Sequence, residues 1–133
     1  MNIFPDKVDF LLADDIRPEL GEKITILGTY GGDAVILEGQ QHMPGMAMPS
    51  LAILCIGRGG EGTIRVDASL TSPTGKHSQA MPKPNEIVKE KKRNLALVFK
   101  FQPFLIEQFG TFIFKLKLDD KEYPFPFRID NHA

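Results

Sequence analysis

Along much of the chain apolar and polar residues alternate one by one, the period that sends successive side chains to opposite faces of a pleated strand. Ile64, Val66, Ala68 and Leu70 share one face, with Arg65, Asp67, Ser69 and Thr71 on the other. The pattern returns at Leu95, Leu97, Phe99 and Phe101, at Phe112, Phe114, Leu116 and Leu118, and at Tyr123, Phe125, Phe127 and Ile129. Each stretch predicts a strand with one face in a core and the other in water. Val8 to Ala13, Lys23 to Tyr30, Ala34 to Glu38 and Leu51 to Gly57 also read as strands. The last of these is apolar on both faces and is expected in the middle of a sheet.

Turn residues punctuate the pattern at Gly31-Gly32-Asp33, Gly57 to Gly60, Ser72-Pro73-Thr74-Gly75 and Asp119-Asp120-Lys121. The last joins two strong strands and predicts a tight hairpin, while the glycine-rich run from Gly57 to Gly62 predicts a flexible one. Pro124 and Pro126 fall on the face opposite Tyr123, Phe125 and Phe127. Proline cannot donate to a ladder, so the final strand is expected at a sheet edge or in irregular pairing. Helical pattern is confined to a turn or two at Glu86 to Arg93 and in "PFLIEQF" from Pro103, and Ser72 to Arg93 reads as a loop region or inserted hairpin.

Short strands with frequent turns predict an all-β antiparallel β-sandwich of about seven to nine strands, with little helix. "FGTFIFKL", Phe109 to Leu116, follows a chain reversal and sets Gly110, Phe112 and Phe114 at alternate positions. It resembles the turn and penultimate strand of immunoglobulin-like domains, whose corner tyrosine is replaced here by Phe112, which has no hydroxyl for the corner hydrogen bond.

The 133 residues are expected to form one domain spanning 1–133, a length that buries about two-thirds of the unfolded surface. Sixteen basic residues against seventeen acidic ones leave a net charge of -1, which draws in neither nucleic acid nor an anionic membrane. Cys55, the one cysteine, lies in the apolar run "LAILCIG" and reads as a buried structural thiol. Asp6, Lys7 and Asp9 interrupt the first apolar stretch, and no run approaches the roughly 20 apolar residues of a spanning helix. A cytoplasmic location is expected.

The most chemical-looking stretch is "HMPGMAMPS". Thioethers suit Cu(I), and His42 with Met43, Met46 and Met48 has the donors of a copper site, loosely similar to methionine-rich loops of copper chaperones. Pro44, Gly45 and Pro49 make the same stretch a connector, with methionines padding the end of the sandwich. The connector is the reading we adopt, with no cofactor. Asp14, Asp15, Asp33 and the pair Asp119-Asp120 are candidates for calcium or, in a concave pocket, hydrolysis. The alternative is that they begin turns, accept backbone N–H groups and keep strand edges soluble. His42, His77 and His132 are the only histidines, and none adjoins a nucleophile motif, a phosphate loop or zinc-type cysteine spacing. "KEKKR", Lys89 to Arg93, lacks interleaved aromatics for stacking bases and reads as a solvated connector.

The segment "LLADDIRPELGEKITILGTYGGD", Leu11 to Asp33, followed by "PSLAILC", "SPTG" and "FGTFIFKLKLDD", resembles a family of short uncharacterised bacterial proteins with an immunoglobulin-like β-sandwich. The resemblance covers most of the chain and implies that fold with no catalytic residues. The expectation is a non-enzymatic interaction or scaffold module that meets a protein partner, or a second copy as a homodimer, through an edge or its loops.

Overall fold

The computed structural model describes residues 3–20, 23–30, 34–38 and 46–132. Among the described residues are twelve strands and no helix. They are β1 (Lys7–Glu19), β2 (Lys23–Thr29), β3 (Ala34–Glu38), β4 (Met46–Met48), β5 (Leu51–Arg58) and β6 (Gly62–Thr71). β7 (His77–Gln79), β8 (Asn85–Lys89), β9 (Leu95–Phe101), β10 (Phe104–Ile106), β11 (Gly110–Leu118) and β12 (Lys121–His132) complete them. The fold is all-β, with more strands than the seven to nine expected. Three of the elements are only three residues long, too short to carry a periodic signal.

Sheet one runs β2-β1-β5-β9, and sheet two runs β3-β12-β11-β6, with β7 and β8 both paired to β6. β10 and β4 form a separate pair. The ladders are antiparallel except between β12 and β3, which run parallel. β5 is central, as its two apolar faces predict: Leu51, Ile53 and Cys55 enter the main core, while Ala52 and Leu54 join Ala13 and Ile16 in a second cluster. Burial pushes the Cys55 thiol well above its ordinary range, which makes it an inert core residue.

The two sheets face each other across one apolar core. Phe114 of β11 is fully buried and meets Phe99 of β9 at 5.1 Å and Phe10 of β1 at 6.2 Å between ring centroids. Phe10 also stacks on Phe125 of β12 at 4.9 Å. Such ring pairs add about 0.5–1.5 kcal/mol each beyond their burial. At one end Phe104 of β10 packs edge-on against Phe101 and Phe112, and Phe112 stacks on Phe127. Tyr123 of β12, also buried, donates its hydroxyl to the Pro5 carbonyl at 2.7 Å and ties down the segment before β1.

Several expectations are corrected. Glu86 to Arg93 and the stretch after Pro103 form no helix; they supply β8 and β10, because pairing with β6 and β4 overrides weak local propensity. Ser72 to Arg93 is not merely a loop, since it holds the edge strands β7 and β8. The glycine run after β5 is not a hairpin, because β5 and β6 lie in different sheets and the run crosses between them. Gly60 has φ +83°, and a Cβ there would sit 2.6 Å from the Ile3 carbonyl oxygen, so only glycine fits the crossing. Lys89 is the one buried charged residue among those described, and its ammonium closes the crossing by donating to the Gly60 and Glu90 carbonyls at 3.1 and 2.6 Å.

The two prolines of β12 follow the physics behind their expected edge position. β12 pairs β11 along its length from Lys121 to Ile129, but β3 joins it only from Arg128 onward. Pro124 and Pro126 therefore occupy the stretch with one neighbour among the described residues, where a missing N–H leaves no ladder gap. Replacing Phe114 with alanine should cost about 3–5 kcal/mol. Urea unfolding of wild type and F114A, read as a shift in midpoint with the slope unchanged, measures it.

Candidate functional site

The feature that sequence reasoning left incomplete is the length of β1. The predicted strand stops at Ala13, yet β1 continues to Glu19. β5 accompanies it only as far as Ala13, and from there to Glu19 β1 pairs with β2 alone. The result is a two-stranded arm, with Ile16 opposite Ile26 and Pro18 opposite Ile24 on one face. Asp15 opposite Leu27, Arg17 opposite Thr25 and Glu19 opposite Lys23 make the other face mostly polar.

The acidic pair anchors this arm. Asp14 and Asp15 are neighbours on a strand and so point to opposite faces. The Tyr30 hydroxyl donates to Asp14 Oδ1 at 2.5 Å, and Asp14 Oδ2 fills the space that a Cβ at Gly28 would take, 2.2 Å away. Gly28 has φ +66°, so both its backbone and its missing side chain are used. Burial, then the hydrogen bond to Asp14 and its charge, push the Tyr30 phenol far above its ordinary range and keep it a donor. On the other face Asp15 accepts from Arg17 Nε at 2.9 Å and from the Ile16 N–H at 2.9 Å, and Lys100 Nζ of β9 lies 3.3 Å away. The Arg17 guanidinium lowers the Asp15 pKa most; partial burial opposes it, and Lys100 and the Ile16 N–H add to the lowering.

These contacts decide what the acids do. Asp14 and Asp15 cannot converge on one ion, and Asp33 lies outside the described residues. Asp119 sits in the β11–β12 hairpin with φ 51°, where its Oδ1 accepts the Arg65 N–H and its own N–H donates to the Arg65 carbonyl, each at 2.8 Å. Among the described residues no three His, Cys, Asp or Glu side chains gather at metal-binding range. His42 and Met43 lie outside the described residues, and Met46 opens β4. Met48 is buried in the main core opposite Phe104, where it fills space. His77 is exposed on β7 with Nδ1 3.2 Å from Thr71 Oγ1, and His132 ends β12.

The arm presents apolar surface. Every residue of β2 is exposed, including Ile24 at 40 %, Ile26 at 36 % and Leu27 at 40 %, and Leu20 at the turn is 95 % exposed. Half of the large apolar residues exposed among those described lie in this one hairpin, Ile24 and Ile26 on one face of β2 and Leu27 on the other. Its outer side has no paired strand among the described residues. Away from the arm, a concavity of about 250 Å³ lies between β7 and β10, floored by Leu70, Phe101, Phe104 and Phe112 and bridged by Lys76 and Glu107 at 3.2 Å.

No family model matches the chain, and no curated protein matches it. The site therefore rests on its geometry. Because the folded Asp15 pKa lies below its unfolded value of about 3.9, its stabilising effect is complete above that pH and fades as pH falls through the folded value. The gap in thermal unfolding midpoint between wild type and D15N should hold steady above about pH 5 and close below about pH 4. A gap independent of pH would show that Asp15 does not hold the arm by its charge.

Proposed function

We propose that this chain is a non-enzymatic protein-interaction module, cytoplasmic, that docks a partner strand along the open side of β2. The observation that carries the reading is the contrast between its edges. A long bare edge invites another strand, and chains blunt such edges with proline, lysine or breaks. The edge at β7 and β8 is interrupted by Pro82, Lys83 and Pro84; the open stretch of β12 carries Pro124 and Pro126; and β1 beyond Ala13 carries Pro18. β9 buries Leu95 and Phe99 and exposes Ala96 and Lys100. β2 alone of these pairs an uninterrupted edge with exposed Ile24, Ile26 and Leu27. Strand addition draws affinity from main-chain hydrogen bonds and selectivity from alternate side chains, and β2 has both to give.

The fold belongs to the same reading. We take it as an immunoglobulin-like sandwich in one domain. The order β1-β5-β9 facing β12-β11-β6 matches the A-B-E and G-F-C strands of that architecture, with the β5–β6 crossing in the place of the B–C connection. The resemblance to short bacterial proteins of that fold is consistent with it. No cofactor is needed for edge pairing. Asp14, Asp15 and Asp119 are each engaged in holding the arm or the β11–β12 hairpin, which among the described residues favours a structural part for them over a hydrolytic one.

Site-directed photocrosslinking in the native host tests the proposal. A benzophenone side chain at position 27 should yield covalent adducts with polypeptide, and one at Lys117, on the polar face of β11, should yield none. Absence of adducts at position 27 removes the reading. So does turnover of a hydrolase or phosphatase substrate that D14N or D119N abolishes.

A further inference from the structure

We propose that the strand that docks on β2 is β2 of a second copy of this chain, forming a closed two-fold dimer. The inference rests on the interaction reading above and adds the identity of the occupant. Its argument is self-complementarity. In an isologous antiparallel pair each residue meets the partner of the residue that meets it, so a strand pairs well with itself only if its sequence is compatible with its own reverse.

The regular part of β2 runs from Lys23 to Leu27, ahead of the positive φ of Gly28. Pairing centred on Thr25 sets Thr25 against its own copy, Ile24 against the copy's Ile26, and Lys23 against the copy's Leu27. On one face this gives two isoleucine pairs, and on the other a threonine pair, both favoured cross-strand combinations. Centring on Ile26 instead would set Ile24 against Gly28 and lose those two pairs. Directly opposed residues share a face, so the exposed Ile24 and Ile26 of one arm lie beside those of the other, while Ile16 stays buried in the second cluster of its own chain.

Charge permits the same register. Lys23 is the only formal charge on β2. Its ammonium stem runs over the copy's Leu27, while the two lysines sit four residues apart along the seam, roughly 14 Å. That exceeds the screening length of about 8–10 Å at ordinary salt. The net charge of -1 adds little repulsion between copies. A heterologous pairing of β2 with β9 would leave edges open at both ends and grow without closing, whereas the two-fold pairing joins the β2 edge of each chain and closes, leaving the terminal strands β9 and β3 out of the seam.

The seam is short, so the dimer should be reversible, with a dissociation constant on the order of 10–100 µM. Sedimentation equilibrium of the full chain should show a monomer–dimer exchange across that range. Thr25→Lys, which opposes two cations on the axis, should leave a folded monomer with the wild-type circular dichroism, and its unfolding midpoint, unlike that of the wild type, should not depend on protein concentration. Thr25→Val should still dimerise. Thr25→Cys should form an intermolecular disulfide on mild oxidation, since paired strand positions lie within the 4.4–6.8 Å Cα span of a disulfide. Lys117→Cys should not. A chain that stays monomeric throughout, a dimer that survives Thr25→Lys, a dimer in which Thr25→Cys fails to cross-link, or growth into long polymers each overturns the inference. A monomer whose position-27 crosslinker still captures another polypeptide overturns the second-copy assignment alone; one that captures nothing overturns the interaction reading with it.

Discussion

The contact on which the rest of the structure depends is the insertion of Phe114 between Phe99 and Phe10, because it is where the two sheets become one body. Phe114 sits on β11, flanked by β6 and β12, and so transmits the fixed register of sheet two. Phe10 sits on β1, opposite Cys55 of β5, and stacks again on Phe125. β1 is thereby held from the side by its ladder and from above by rings of the other sheet. Close-packed interiors resist small displacements. That stiffness matters three residues later, where Leu12 and Ala13 are still buried and the strand then leaves β5 to become the arm. Asp14 and Asp15 extend the hold outward, one through Tyr30 and the other through Lys100. The arm is therefore displayed by the core rather than loosely attached to it.

Much of the fold could be read from side-chain period, since burial on one face is what period two encodes. The stripes at Ile64 to Leu70 and Phe112 to Leu118 alternate between buried and accessible residues as expected, and the doubly apolar Leu51 to Gly57 is central. Patterning failed where pairing, not burial, makes the strand. β7 is exposed throughout and β8 is exposed at three of its five residues, and both exist because β6 has a long side to offer them. It also failed at the glycine run after β5, because a change of sheet and a hairpin have the same turn chemistry and differ only in which strands the flanks later join.

The site was half legible. Adjacent aspartates at 14 and 15 drew attention as ligands, yet once β1 is known to continue through them their opposed directions separate them. What hid this was Arg17-Pro18-Glu19, a polar, proline-bearing stretch that looks like the end of a strand. In the folded chain Pro18 sits where β1 has a neighbour on only one side among the described residues, which is where a strand tolerates it. The partners of the aspartates, Gly28 and Tyr30, stand close together in the sequence, but their relation to Asp14 exists only through the hairpin register. Met48 shows the same limit, because a thioether in a core and a thioether at a metal have the same sequence and differ in what surrounds them.

The edges carry the last step. An exposed isoleucine alone means little, since much of any folded surface is apolar. Three such residues on an uninterrupted strand mean more when the neighbouring edges carry prolines, because the same chain then contains both the protected and the unprotected form of one structural problem. Pro124 and Pro126 each remove an N–H from the open stretch of β12, and Pro82 and Pro84 break the edge between β7 and β8. β2 keeps its donors and acceptors, and Asp14 and Asp15 hold its root in place, so the ordering that a strand needs before it can be paired is already supplied. β2 thus joins an ordered backbone to exposed apolar side chains and to donors and acceptors on a side where no described strand pairs with it.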